Sequence, residues 1–255
     1  MPKSSIDLCS DEDLGYRRSR TKFASGEGLV LDEAYRLAHL PLVATDHPGV
    51  IRSRPDTYYT MGRHPCAHSL VLPVSERSLE SSSAYLALDA ELRAAPFASK
   101  IAWELLPRRR TKLHATICGS LAIGEDAPAL DEAQRKALLD IGPFAVELRG
   151  LFSGNVNVGR LYLRVYPERR RGENILKKIQ RALGRRETDL YVVGLWNLTD
   201  DLDPSEATSL KETIDRWWDR PILSLEIDRL WLLAASDDLV LESNVTEVVS
   251  LATPA

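Results

Sequence analysis

Two tripeptides carry the side chains best suited to acid and base chemistry: His114-Ala-Thr116 and Asn197-Leu-Thr199. On a strand, successive side chains alternate, so the two polar members of each tripeptide project from one face. Histidine titrates near neutrality and can take or give a proton, and a threonine hydroxyl can hydrogen-bond to an oxygen on which charge develops. Asparagine offers hydrogen bonds but transfers no proton near neutral pH. His114, Thr116, Asn197 and Thr199 form the candidate catalytic set, and only His114 in it titrates near neutrality.

The surrounding pattern predicts the elements that position them. Residues 68–74 read as a strand and 79–94 as a helix. Residues 112–119 read as a second strand, with Leu113, Ala115 and Ile117 on one face and His114, Thr116 and Cys118 on the other. Asp131 caps a helix through about Asp140, and 144–151 forms a further strand. The order then recurs: strand 160–166, helix 173–183 stopped by Gly184, and strand 190–199. A helix follows from Asp203 and Pro204 to Trp218, then strands at about 222–233 and 239–242. The repeated order predicts two pseudo-symmetric lobes, with the two polar tripeptides at matching places. Residues 1–62, rich in Ser, Asp, Arg and turn signals, read as an N-terminal extension with too few periodic apolar residues for a core of its own. Its deletion is expected to leave a folded protein.

The two tripeptides in a repeated framework resemble the signature of the 2H phosphoesterase superfamily, which includes the 2′-5′ RNA ligase-like cyclic phosphodiesterases. That signature is a His-x-Thr/Ser pair in each of two lobes, and the resemblance covers roughly residues 68–245. It implies an α+β fold of two lobes, about 63–152 and 153–255, each an antiparallel sheet with helices on its outer face around a central cleft. It also implies a metal-independent phosphodiesterase with no cofactor, acting on a small nucleotide or RNA end such as a 2′,3′-cyclic phosphate or a 2′-5′ linkage. His114 would then be the acid or base, with Thr116 and Thr199 as phosphate ligands. Asn197 stands where the family's second histidine would be. This keeps open an alternative, a nucleotide- or RNA-end-binding protein with impaired catalysis, and predicts that Asn197→His restores a second titratable group.

Face parity adds binding candidates. If Leu161, Leu163 and Val165 face the core, Arg160, Tyr162, Arg164 and Tyr166 share the opposite side. There Arg160 or Arg164 can pair with a phosphate, and Tyr162 can stack on a base or donate a proton; the alternative is ordinary exposed positions. His68, and His64 just before it, start the first strand and can approach His114. The run His64-Pro-Cys66-Ala-His68 has no supporting ligand at metal-site spacing, so no metal is expected. Asp200-Asp201 and Asp237-Asp238 read as turn and cap residues, and Trp217, Trp218 and Trp231 as core.

Composition sets the outer bounds. The 255-residue chain has a net charge of −4, so long-duplex DNA binding is not expected, and its basic clusters are local rims or solvated faces. No apolar run approaches the ~20 residues that span a bilayer, and the N-terminus lacks a signal-peptide pattern, so no membrane partner and a cytoplasmic location are expected. Three cysteines without CxxC spacing predict free thiols.

Overall fold

The computed structural model describes residues 6–252. Apolar and polar alternation organises eight of its segments into one large curled antiparallel sheet, packed with helices into an α+β fold. The first four strands are β1 (Arg63–Pro73), β2 (His114–Ile123), β3 (Phe144–Ser153) and β4 (Arg160–Pro167). A two-residue ladder, β5 (Arg169–Arg170) with β6 (Glu173–Asn174), stands apart. The main sheet is completed by β7 (Val192–Asn197), β8 (Pro221–Ile227), β9 (Arg229–Asp237) and β10 (Ser243–Ser250), in the order β10-β9-β1-β2-β7-β4-β3-β8.

The helices are α1 (Tyr16–Ser19), α2 (Glu33–Ala38), α3 (Leu40–Val43), α4 (Glu76–Glu80), α5 (Ser83–Ala94), α6 (Leu105–Arg109), α7 (Glu132–Ile141), α8 (Ile175–Ala182) and α9 (Pro204–Trp217). Their ends follow local chemistry. Asp203 and Glu206 close a capping box at α9, with Pro204 in its first turn, and Asp131 and Gln134 do the same for α7. The helix expected over 79–94 is broken, because Ser82 caps a new start by accepting from the Tyr85 N–H at 3.1 Å.

The sequence misjudged the connection after α9. Residues 222–233 form two strands that part at Asp228, with β8 at one edge beside β3 and β9 between β10 and β1. Residues 239–242 are not a strand but a turn held by the buried Asp237 carboxylate, which accepts from the N–H groups of Leu239 (2.9 Å), Leu241 (3.0 Å) and Glu242 (2.8 Å). The sheet order does not follow the expected lobe bounds. β3, expected in the first lobe, lies in the half formed by β7-β4-β3-β8, whereas β9 and β10, expected in the second, flank β1 and β2. The halves meet at a single β2–β7 ladder pair, Ala115 with Val193.

The extension is part of the same core. Cys9, Tyr16, Leu31, Tyr35 and Leu40 are buried in one apolar cluster with β1–β4 and α9. The Tyr16 hydroxyl donates toward the Val165 and Tyr191 carbonyls (2.6 and 2.8 Å), where the Val165 N–H also donates to the Tyr191 carbonyl at 3.0 Å, so the extension is tied to β4 and the segment before β7. A chain cut at residue 62 would expose these contacts.

Candidate functional site

Register decides which side chains share the cleft. Thr116 pairs with Val71 and His114 with Pro73, while Ala115–Val193 brings His114 opposite Gly194. On the next strand, Tyr162 pairs with Gly194 and Arg160 with Asn197, an extra residue at Leu195 forming a bulge between them. His114, Thr116, Arg160 and Tyr162 therefore face one way. A second irregularity, in β2, turns Cys118 into the core against its expected parity, and Gly119 and Ser120 face the cleft instead.

These residues line two adjoining cavities, of about 390 and 240 Å³, which share His114, Thr116, Asp238 and Val240. Arg109, Arg160, Tyr162 and Gly194 line the smaller one. Tyr58, His64 and Ser69 line the larger, with an apolar wall that includes Ile123 and Leu233.

His114 is prepared as a proton acceptor. Its Nδ1 lies 2.7 Å from the Lys112 carbonyl oxygen, which can only accept, so Nδ1 carries the proton and Nε2 keeps its lone pair. Burial, reinforced by the positive charges of Arg160 and Arg109, pushes the ring down to about 4, so it is neutral at physiological pH.

The two guanidiniums have no acid partner. Arg109, on α6, is 1% exposed and donates to the Gly194 and Leu195 carbonyls at 2.7 Å each. Arg160 donates to the Asp238 main-chain carbonyl at 2.9 Å and stacks over Tyr162, 5.4 Å from its ring centre. Among the described residues neither makes an ion pair with a carboxylate, and the buried Nε of each lacks a hydrogen-bond partner. Burial first, and then Arg160, lower Arg109 to about 9, which still leaves it charged at neutrality. A buried and a half-buried cation side by side, with Asp238 the nearby carboxylate but in contact with neither, leave positive charge that an anion entering the cavity would offset.

Across the cleft, Asp238 accepts from the Tyr59 hydroxyl at 2.8 Å, and its other oxygen lies 3.4 Å from His64 Nε2. Burial alone would raise this carboxyl, but His64, Tyr59 and Arg160 outweigh it and hold Asp238 well below the usual carboxylate range. The hydrogen bond to Asp238 in turn raises His64 above its ordinary value. His39, from the extension, is fully buried 3.7 Å from Asp238, but burial and the arginines drive it down to about 3, so this contact is not an ion pair.

The remaining candidates fare unevenly. Asn197 is 1% exposed and does not line either cavity. The extension covers it through Tyr35, whose hydroxyl lies against the Asn197 amide and donates to the Leu198 carbonyl at 2.7 Å. Thr199 also lies outside the lining, its N–H spent on the Lys100 carbonyl at 2.8 Å. His68 points to the opposite side of β1 from Ala67 and Ser69 and sits 3.1 Å from the Gly124 carbonyl, so it is not a cleft residue. Arg164 is fully buried, 3.3 Å from Asp11 and stacked 3.8 Å from the Trp218 ring, and is structural. Arg109, Asp238 and Tyr58 were missed. Arg109 sits in an arginine triplet where only its place four residues after Leu105, on one helix face, hints at burial. Asp238 looks like any turn aspartate.

Among the described residues, no helix is long and apolar enough to cross a membrane, and no group of three or more His, Cys, Asp or Glu residues is placed to hold a metal ion. No protein-family model and no curated protein matches the chain. Two of the solved structures similar to it are as follows. One is TT0787 of Thermus thermophilus, 13% identical, with 74% of this chain and 100% of that one covered at a TM-score of 0.36. The other is the conserved protein of unknown function ATU0111 from Agrobacterium tumefaciens, 15% identical, with 84% and 98% covered at a TM-score of 0.45. The functional reading rests on the site's own geometry.

Proposed function

We propose that the cleft binds and cleaves a phosphodiester at a small nucleotide or RNA end, a 2′,3′-cyclic phosphate or a 2′-5′ linkage, in a 2H-type arrangement whose two lobes are the four-strand halves of the sheet. The observation that carries this reading is the placing of two guanidiniums in contact with no carboxylate, Arg109 and Arg160, beside a neutral His114 whose Nε2 is free. Guanidiniums match phosphate oxygens, and a neutral imidazole next to them is a base for water.

In this reading His114 Nε2 takes a proton from the attacking water as its oxygen bonds to phosphorus. Arg109, Arg160 and the Thr116 hydroxyl stabilise the charge that gathers on the non-bridging oxygens. The ester bond to the leaving oxygen breaks, and that oxygen takes the Nε2 proton of His64, whose Nδ1 proton is held by the Pro65 carbonyl at 2.8 Å and whose protonated form Asp238 favours. His64 thus fills the role for which Asn197 is badly placed. A pair of groups driven apart in pKa by their surroundings is the usual mark of a divided acid and base.

Burial of Asn197 away from the cavities also favours a second reading, a cleft that holds the phosphate without turning it over. Hydrolysis of a 2′,3′-cyclic nucleotide, alongside calorimetric binding of the product nucleotide, separates the two. His114→Ala is expected to lower the rate by ~10²- to 10⁴-fold while product binding persists. Binding by the wild type without hydrolysis would select the second reading, and neither binding nor hydrolysis would remove both.

A further inference from the structure

Tyr58 is 61% exposed, yet it lines the same cavity as His114 and Thr116. A large aromatic left open to solvent at the mouth of a polar cleft needs a reason, whereas a scattered surface aromatic does not. Its setting is built. Tyr59 lies beside it, ring centres 4.9 Å apart, and the His64 ring meets it edge-on at 5.9 Å. The Tyr59 hydroxyl ties the segment to Asp238, and main-chain bonds from Met61 to Arg52 (2.7 Å) and from Thr57 to Arg54 (3.2 Å) fold it into a compact turn. The cavity wall there is apolar, formed by Ile123, Leu233, Ala235 and Val240, with Ile123 itself 64% exposed.

The guanidiniums thus lie in the smaller cavity, His114 and Thr116 where the two adjoin, and Tyr58 with the apolar wall in the larger one, beside His64 and Asp238. We infer that Tyr58 is the stacking platform of a nucleobase subsite, so that the ligand is a nucleotide read by its base as well as its phosphate, with the base at the Tyr58 end and the phosphate at Arg109 and Arg160. This rests on the phosphate reading for the position of the charged end, and on the rim itself for the base. The larger cavity, about 390 Å³, falls in the range of small-ligand sites. Stacking is tolerant of base identity because every base has a π-face, so purines should be favoured over pyrimidines by ring area alone.

The test compares inorganic phosphate, ribose phosphate and adenosine 3′-monophosphate on the full-length wild type, Tyr58→Phe and Tyr58→Ala by calorimetry. Quenching of a 2-aminopurine nucleotide serves as the signature of stacking. Tyr58→Ala is expected to weaken nucleotide binding by roughly 5- to 150-fold, to leave phosphate and ribose phosphate unchanged, and to abolish the quench, while Tyr58→Phe keeps both. If Tyr58→Ala binds the nucleotide as the wild type does, while phosphate still binds, the base subsite falls and the phosphate reading stands. If phosphate binds nowhere but the nucleotide still depends on Tyr58, the subsite stands and the phosphate reading falls. If no probe binds, both fall.

Discussion

His114 and His64 open onto one cavity, yet their neighbours drive them in opposite directions. Burial and two guanidiniums lower His114 to about 4, and the Asp238 hydrogen bond raises His64. A base that must be unprotonated and an acid that must be protonated make kcat/KM rise as pH rises through about 4 and fall above the raised His64 value. Asp238→Asn removes the carboxylate that raises His64, so the alkaline limb is expected to move to lower pH with the acid limb in place; pH-rate profiles of both proteins check this, and an unmoved alkaline limb would disconnect Asp238 from the titration. Stability carries a separate signal. His39 and His114 hold native values near 3 and 4 against an ordinary 6.5, so below about 6.5 the unfolded chain binds protons that the native state refuses. Stability is therefore full above that pH and is lost as pH falls toward 4, and His39→Phe is expected to flatten the fall in urea midpoint over this window. Of these residues, His114 and Thr116 were legible because their pattern is local. His39 and Asp238 were not, since what makes them chemical is a contact between positions far apart in the chain.

The strands announced themselves through alternation, and six of the expected elements lie within a few residues of their observed bounds: the helices at α7, α8 and α9 and the strands at β3, β4 and β7. What alternation cannot show is a bulge, because one extra residue reverses the parity of everything beyond it. The bulge at Leu195 puts Asn197 on the cleft side of β7 while turning the Gly194 and Leu195 carbonyls to Arg109. Gly194 is needed there for room, since a Cβ at that position would overlap the Arg160 guanidinium lying across it. The obstacle is the far end of a flexible side chain, so Gly194→Ala is expected to fold with nearly unchanged stability while displacing Arg160. Loss of one charge-assisted contact, worth ~1.5–3 kcal/mol, weakens phosphate binding by roughly 10- to 150-fold. Calorimetry with inorganic phosphate and a urea melt measure both, and unchanged affinity would remove Arg160 from the anion site. Asn197→His is no longer expected to restore catalysis: the larger ring would enter a buried space already covered by Tyr35.

At the scale of the whole molecule, the extension acts as a cover for part of the sheet. It buries the face of β4 beyond Tyr162, so Arg164 and Tyr166, which parity placed beside Arg160, are enclosed by Asp11, Tyr16 and Trp218. Parity predicted their side of the strand correctly, but a low-periodicity leader gives no sign of what it will cover. Asp11 is the anchor. It accepts from Trp218 Nε1 at 2.9 Å and from the Tyr166 hydroxyl, and it lies 3.3 Å from the Arg164 guanidinium, which has no exposure to water. Removing this carboxylate leaves a buried cation facing only carbonyls and rings, a loss of about 3–5 kcal/mol by the cost of breaking a buried pair. Asp11→Ala is therefore expected to lower the urea midpoint sharply, and Asp11→Asn, which keeps hydrogen-bonding capacity without the charge, to lower it less. Phosphate binding under native conditions should survive in both variants, because Arg109, Arg160 and His114 are held by β7, Asp238 and Lys112 and not by Asp11. A loss under ~1 kcal/mol in Asp11→Ala, the size measured for surface pairs, would mean that the extension is laid over the sheet without being locked to it.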